Sequence, residues 1–192
     1  MKRRQFGLIA SAAILWASVP ADPGAQTGSF AKTLAQPGVH AIMRHALAPG
    51  GGDPARFALG DCSTQRNLDD RGRAQARMIG ETLRKMDADF DGILTSQWCR
   101  CVDTAQLLGL GPVEKLPALN SFFADRSTAG AQTEDLRRYL DDLPKDAQVM
   151  LVTHQVNITA LLDVFPSSGE VFLFRIGADG AVEILGNLEI DP

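Results

Sequence analysis

Val149-Met150-Leu151-Val152 is an unbroken apolar run with no polar alternate position. A strand with one wet face alternates apolar and polar residues, so a continuous run belongs to a strand covered on both sides. Residues 39–43, Val39-His40-Ala41-Ile42-Met43, read the same way, and Ile93-Leu94-Thr95-Ser96 reads as a further strand. Such strands need helices on both faces, and the spacing supplies them. Ala76, Ile79, Leu83 and Met86 recur at i, i+3, i+7 and i+10 and predict a helix over 69–86. Its first turn carries Asp69 and Asp70, the charge that the helix dipole favours there. Residues 99–108 predict a second helix, and Leu136, Tyr139, Leu140 and Leu143 a third, ended by Pro144. Residues 113–119 read as a weaker strand that Pro117 pushes to an edge. Residues 171–176 and 182–185 read as a closing hairpin around Asp179-Gly180. The expected fold is a three-layer α/β/α domain, with a mostly parallel sheet of about six strands and helices on both faces. With no internal repeat or linker, the 192 residues make one such domain over 38–192, behind an extension at 22–37.

The first 21 residues read as a signal peptide. Lys2, Arg3 and Arg4 form a positive start, 6–19 is an uncharged apolar run, and Val19-Pro20-Ala21 suits a signal peptidase. That run is shorter than the ~20 residues a membrane span needs, so no span is expected after cleavage. Arg3-Arg4-Gln5-Phe6 also resembles a twin-arginine signal. Cleavage after Ala21 changes the net charge from −4 to −7. The expected mature protein is acidic, exported to the periplasm, and lacks the basic face of a nucleic-acid binder.

Reactive residues gather where strands end. Arg44-His45 follows the first strand, Arg100 opens the helix after the second, and His154 lies two residues past Val152. Ligands bind outside the carboxyl ends of strands in a parallel α/β sheet. Two histidines and two arginines therefore converge on one edge, where helix N-termini add further affinity for an anion. Arginine offers phosphate a planar fork of paired donors. Neighbouring guanidinium groups favour neutral imidazole, which is a nucleophile toward phosphorus. These residues predict a phosphate site, the alternative being a scatter of surface arginines.

Four segments, taken in order, resemble the histidine phosphatase superfamily with its phosphoglycerate mutase-like fold. They are Met43-Arg44-His45-Ala46, the stretch 67–76 with Gly72, Gln75 and Ala76, the set Ser96, Arg100, Thr104 and Ala105, and Val152-Thr153-His154. The resemblance implies a phosphohistidine on His45, with Arg44, Arg100 and His154 holding the phosphoryl group, and no metal or other cofactor. The chain departs from the family at Ala46 and Gln155, where glycine is usual. It departs again at Ser121, where relatives often carry a glutamate after a Leu-Asn or Leu-Arg pair. Asp125 is then the nearest candidate general acid, with Glu134, Asp135 or no acid as alternatives.

Other residues keep two readings. Arg66 and Asn67, in the long loop 47–67, either reach the substrate or form a helix entry capped by Asn67 or Asp69. Cys62 is expected to pair with Cys99 or Cys101, which would tie that loop beside Arg100 and leave one thiol free. Phe122, Phe123 and Trp98 either wall the site or fill the core, and His40 reads as structural. The function expected is a phosphomonoester hydrolase acting on a small phosphorylated substrate. A phosphomutase and a non-catalytic binder of phosphorylated ligands are the alternatives.

Overall fold

The protein is described by a computed structural model covering residues 23–192. The signal-peptide expectation lies outside the described residues. Among these, no helix is long and apolar enough to cross a membrane.

Strands β1 (His40–Arg44), β2 (Gly92–Thr95), β3 (Val113–Lys115), β4 (Val149–Thr153), β5 (Val171–Ile176) and β6 (Val182–Leu188) form one sheet. Their order across it is β3-β2-β4-β1-β5-β6. The first four strands pair in parallel, whereas β5 runs antiparallel to β1 and β6 antiparallel to β5. The sheet is therefore mixed, parallel where the site lies and closed by the hairpin on one side.

Helices α1 (Pro23–Leu34), α2 (Asp70–Lys85) and α3 (Cys99–Leu108) cover one face, and α4 (Ala129–Asp141) and α5 (Gln155–Leu162) the other. The period-2 alternation of strand side chains divides each apolar run between two cores. Ala41, Met43, Met150 and Val152 meet Ile79, Leu83 and Ala105 on the first face. Ile42, Val149 and Leu151 meet Leu136, Leu140 and Ile158 on the second.

The elements differ from the sequence expectation in four main places, the first being α5, a helix that the sequence reading does not include. Residues 23–34, expected as an extension, form α1, which buries Phe30 and Leu34 in the first core and so belongs to the domain. The strand expected over 113–119 stops at Lys115, at the sheet edge, because Pro117 opens a short 3-10 turn instead. The hairpin's second strand runs on to Leu188.

Register brings the strand ends level. Arg44 pairs with Thr153, and Thr95 with Val152, so His45, Ser96 and His154 leave the sheet side by side. The His45 N–H donates to the Thr153 carbonyl at 2.9 Å, and the Ser96 N–H to that of Val152 at 3.0 Å. Helix α2 then packs close behind the chain leaving β1. A Cβ at Gly72 would stand 1.9 Å from the Leu47 carbonyl oxygen, so only glycine allows this approach.

Candidate active site

His45 is fully buried, and its Nδ1 lies 2.8 Å from the carbonyl oxygen of Ala46. A carbonyl only accepts, so Nδ1 carries the proton and Nε2 keeps its lone pair. That lone pair accepts from Arg100 Nε at 3.2 Å. Burial first, and then the charge of Arg100, push His45 well below its ordinary pKa, which keeps the ring neutral. Thr104, one turn into α3, locks the pair together. Its hydroxyl donates to the Arg100 carbonyl at 2.7 Å and accepts from the Ala46 N–H at 3.1 Å.

His154 stands opposite, its ring centroid 5.5 Å from that of His45. Its Nδ1 faces Arg100 Nη2 at 3.3 Å, and its Nε2 lies 2.8 Å from Ser96 Oγ. Arginine can only donate, so Nδ1 accepts and Nε2–H donates to the serine. Ser96 in turn donates to Asn120 Oδ1 at 3.3 Å, which also takes the Gln97 N–H at 2.9 Å. Burial, then His45 and Arg100, hold His154 well below its ordinary pKa.

Arg44, at the end of β1, donates to the Pro166 carbonyl at 3.0 Å and keeps a buried Nε that meets no hydrogen-bond partner. Arg66 reaches the site from the long loop, with Nε donating to Gly52 O at 2.9 Å and Nη1 to Ala48 O. These groups line a cavity of about 140 Å³, walled by the Gly50–Gly52 stretch, Phe123 and the first turn of α5 at Gln155 and Val156. That turn presents the positive end of a helix to the cavity.

Asp53, which the sequence reading missed, also lines this cavity. Arg100 Nη1 and Nη2 donate to its two oxygens at 2.6 and 3.1 Å, and the Trp98 indole donates at 3.0 Å. Burial pushes its carboxyl up. The hydrogen bonds and charge of Arg100, with Trp98 and the Arg66 N–H, outweigh this and hold it below the carboxylate range. A lone acid after three glycines carries no periodicity, so no sequence pattern marked it.

The remaining candidates are distributed as follows. Asn67 does not line the cavity. Its amide donates to the Cys62 and Gln65 carbonyls at 2.7 and 3.2 Å and braces the loop, while Asp69 caps α2. Asp125 is exposed and lies outside the cavity lining, where it caps a short turn through Ser127. The hydrogen bonds from Ser127 hold its carboxyl below the usual value, which suits a cap and opposes proton donation. Asp135 pairs with Arg138 on the surface of α4. Cys62 is bonded to Cys99, and Cys101 is free and buried, its thiol 3.4 Å from His154 Nε2 and pushed up to about 12 by burial. Phe122 is core, Phe123 is cavity wall, and Trp98 is half-buried between Phe57 and His154. His40 lies at the far end of β1 from His45.

Comparison with known proteins matches residues 42–139, about half of the chain, to the family described as histidine phosphatase superfamily (branch 1). An uncharacterized protein of Picosynechococcus sp. is 30% identical over 117 residues, which are 61% of this chain and 66% of that protein, just under two thirds of its length. Among solved structures, the protein histidine phosphatase SixA complexed with tungstate superposes with a TM-score of 0.56 at 18% identity, covering 79% of this chain and 96% of its own. A putative alpha-ribazole-5'-P phosphatase from Escherichia coli gives 0.57 at 16% identity, over 77% and 95%. A phosphoserine phosphatase from Entamoeba histolytica in complex with 3-phosphoglyceric acid gives 0.56 at 15% identity, over 79% and 97%. At these identities the likeness to solved structures is one of fold.

Proposed function

The chain belongs to the histidine phosphatase superfamily, and we propose that it hydrolyses phosphate monoesters through a phosphohistidine on His45. The observation that carries this reading is the tautomer of His45. Its Nδ1 proton is committed to Ala46, which leaves the Nε2 lone pair beside Arg100 in the cavity. Neutral imidazole attacks phosphorus, and Arg44, Arg66 and Arg100 offset the charge on the equatorial oxygens. His154 presents Nδ1 to the same space. A phosphoryl dianion beside it raises its affinity for a second proton, and it then donates to the transferring group. Water completes turnover. A small phosphorylated substrate suits the cavity's volume and its cluster of guanidinium groups. The Cys62–Cys99 disulfide supports the further inference that residues 1–21 are removed and the protein works in an oxidising compartment such as the periplasm.

The test is to quench the protein during turnover of a phosphate-labelled monoester, digest it and map the label. Acid-labile, base-stable phosphate on residue 45 is expected, lost together with turnover in His45→Ala. Label on His154, or full activity in His45→Ala, overturns the mechanism.

A further inference from the structure

The cavity contains three arginines and two histidines but, among the described residues, a single carboxylate, Asp53. Hydrolysis of an unactivated monoester needs a proton for the departing alkoxide. His45 is committed to attack, and Asp125 stands outside the cavity. Resting on the proposed phosphatase reading, we infer that Asp53 is the proton donor to the leaving group and the general base for the water that follows.

The contacts of Asp53 fall into two sets with different fates. Its bidentate pairing with Arg100 occupies the guanidinium fork that a phosphoryl group would use. Its bonds from the Trp98 indole at 3.0 Å and the Arg66 N–H at 3.3 Å do not involve that fork. An arriving phosphoryl group competes for the fork, while Trp98 and Arg66 keep the carboxylate at the cavity. The preceding Gly52, at φ +67, gives the backbone the freedom to swing. Losing a cation and gaining an anionic neighbour both favour the protonated carboxyl.

The proton balance closes without another reactant. A monoester arriving as its monoanion passes its proton to Asp53. The lone pair of His45 Nε2 forms the N–P bond as the P–O ester bond breaks, and Asp53 protonates the departing oxygen. The ring keeps its Nδ1 proton and carries the phosphoryl group. Asp53, now ionised, takes a proton from water as the water oxygen attacks phosphorus and the N–P bond breaks. Asp53 returns that proton to the phosphate, which leaves as its monoanion, and ionised Asp53 and neutral His45 are restored.

The experiment compares kcat/KM for monoesters with leaving groups from dinitrophenol to a simple alkyl alcohol, in the wild type, Asp53→Asn, Asp53→Glu and Asp125→Asn. In the wild type the rate should depend only weakly on leaving-group basicity. Asp53→Asn should lose about 10²–10⁴-fold on the alkyl ester and far less on the dinitrophenyl ester. Its label on His45 should accumulate, since the second step has lost its base. Asp53→Glu should recover part of the alkyl activity, and Asp125→Asn should keep the wild-type dependence. An equal loss on both esters would make Asp53 a positioning residue for Arg100, and a gain in rate would make it only a competitor for the phosphate site. Either result overturns the proposal, as does a steep dependence in the wild type, which needs no variant to fold. Failure of the phosphohistidine reading shows separately, as absence of label on His45 in the wild type.

Discussion

Replacing Cys62 and Cys99 together with alanine should destabilise the protein and loosen its site at the same time. The bond joins residues 37 apart, and the chain-entropy treatment of a cross-link of that span amounts to about 4 kcal/mol. Small domains hold only about 5–15 kcal/mol in total, so the shift should be plain in a guanidinium titration, as a lower midpoint. The bond also anchors one end of the loop to the first residue of α3, immediately before Arg100. Gln65, three residues past Cys62, takes the Cys99 N–H at 2.9 Å, and Arg66 follows it into the cavity. Without the covalent anchor these contacts alone hold Arg66 and Asp53 over Arg100. The apparent KM and the inhibition constant of inorganic phosphate should both rise several-fold. Reductant should do the same to the wild type and nothing further to the double variant, in which Cys101 is already a free thiol and no disulfide is left to reduce. A loss below about 1 kcal/mol with unchanged phosphate inhibition would refute this account of the loop.

Gly72→Ala should cost about 1–3 kcal/mol despite the better helix propensity of alanine, and should lower kcat by shifting Leu47, two residues from His45. Denaturation and steady-state kinetics read both effects. Stability should also fall in mild acid. Burial lowers His40 to about 4 from 6.5, so the unfolded chain binds a proton that the native protein refuses. The native advantage is complete above pH 6.5 and is lost as pH falls toward 4, by about 3 kcal/mol. His45 and His154 act in the same direction, and His40→Phe should reduce the pH slope of the denaturation midpoint. Chelator should leave monoester hydrolysis unchanged, since guanidinium groups meet the transferring charge in this reading. Loss of activity restored by zinc would contradict it.

Much of the site was legible because it sits on strand ends, and strand ends are local signals. A strand stops, and the next residue is His45 or His154, or the chain leads on to Arg100. Parallel register then does the rest, because level strands deliver their next residues to one place. The helix faces of α2 and α4 follow equally from spacing that operates within a few turns. Helix α1 is not legible in this way: its stretch reads as an extension, and it is the tertiary packing of Phe30 and Leu34 that holds it against the domain.

By itself, the sequence determined the strand–helix alternation, the two histidines and two arginines at one sheet edge, and the likeness to one superfamily. Three matters needed the tertiary structure. One was which cysteine Cys62 meets, since Cys99 and Cys101 are two residues apart and only the direction of the helix start selects between them. Another was Asp125, near the expected acid position in sequence but turned into a surface cap by Ser127. The last was Asp53, brought to Arg100 across 47 residues. Contacts between a loop and a helix start depend on where the whole chain folds back. They leave no local period in the sequence, and a buried charge pair is defined by the space both partners share.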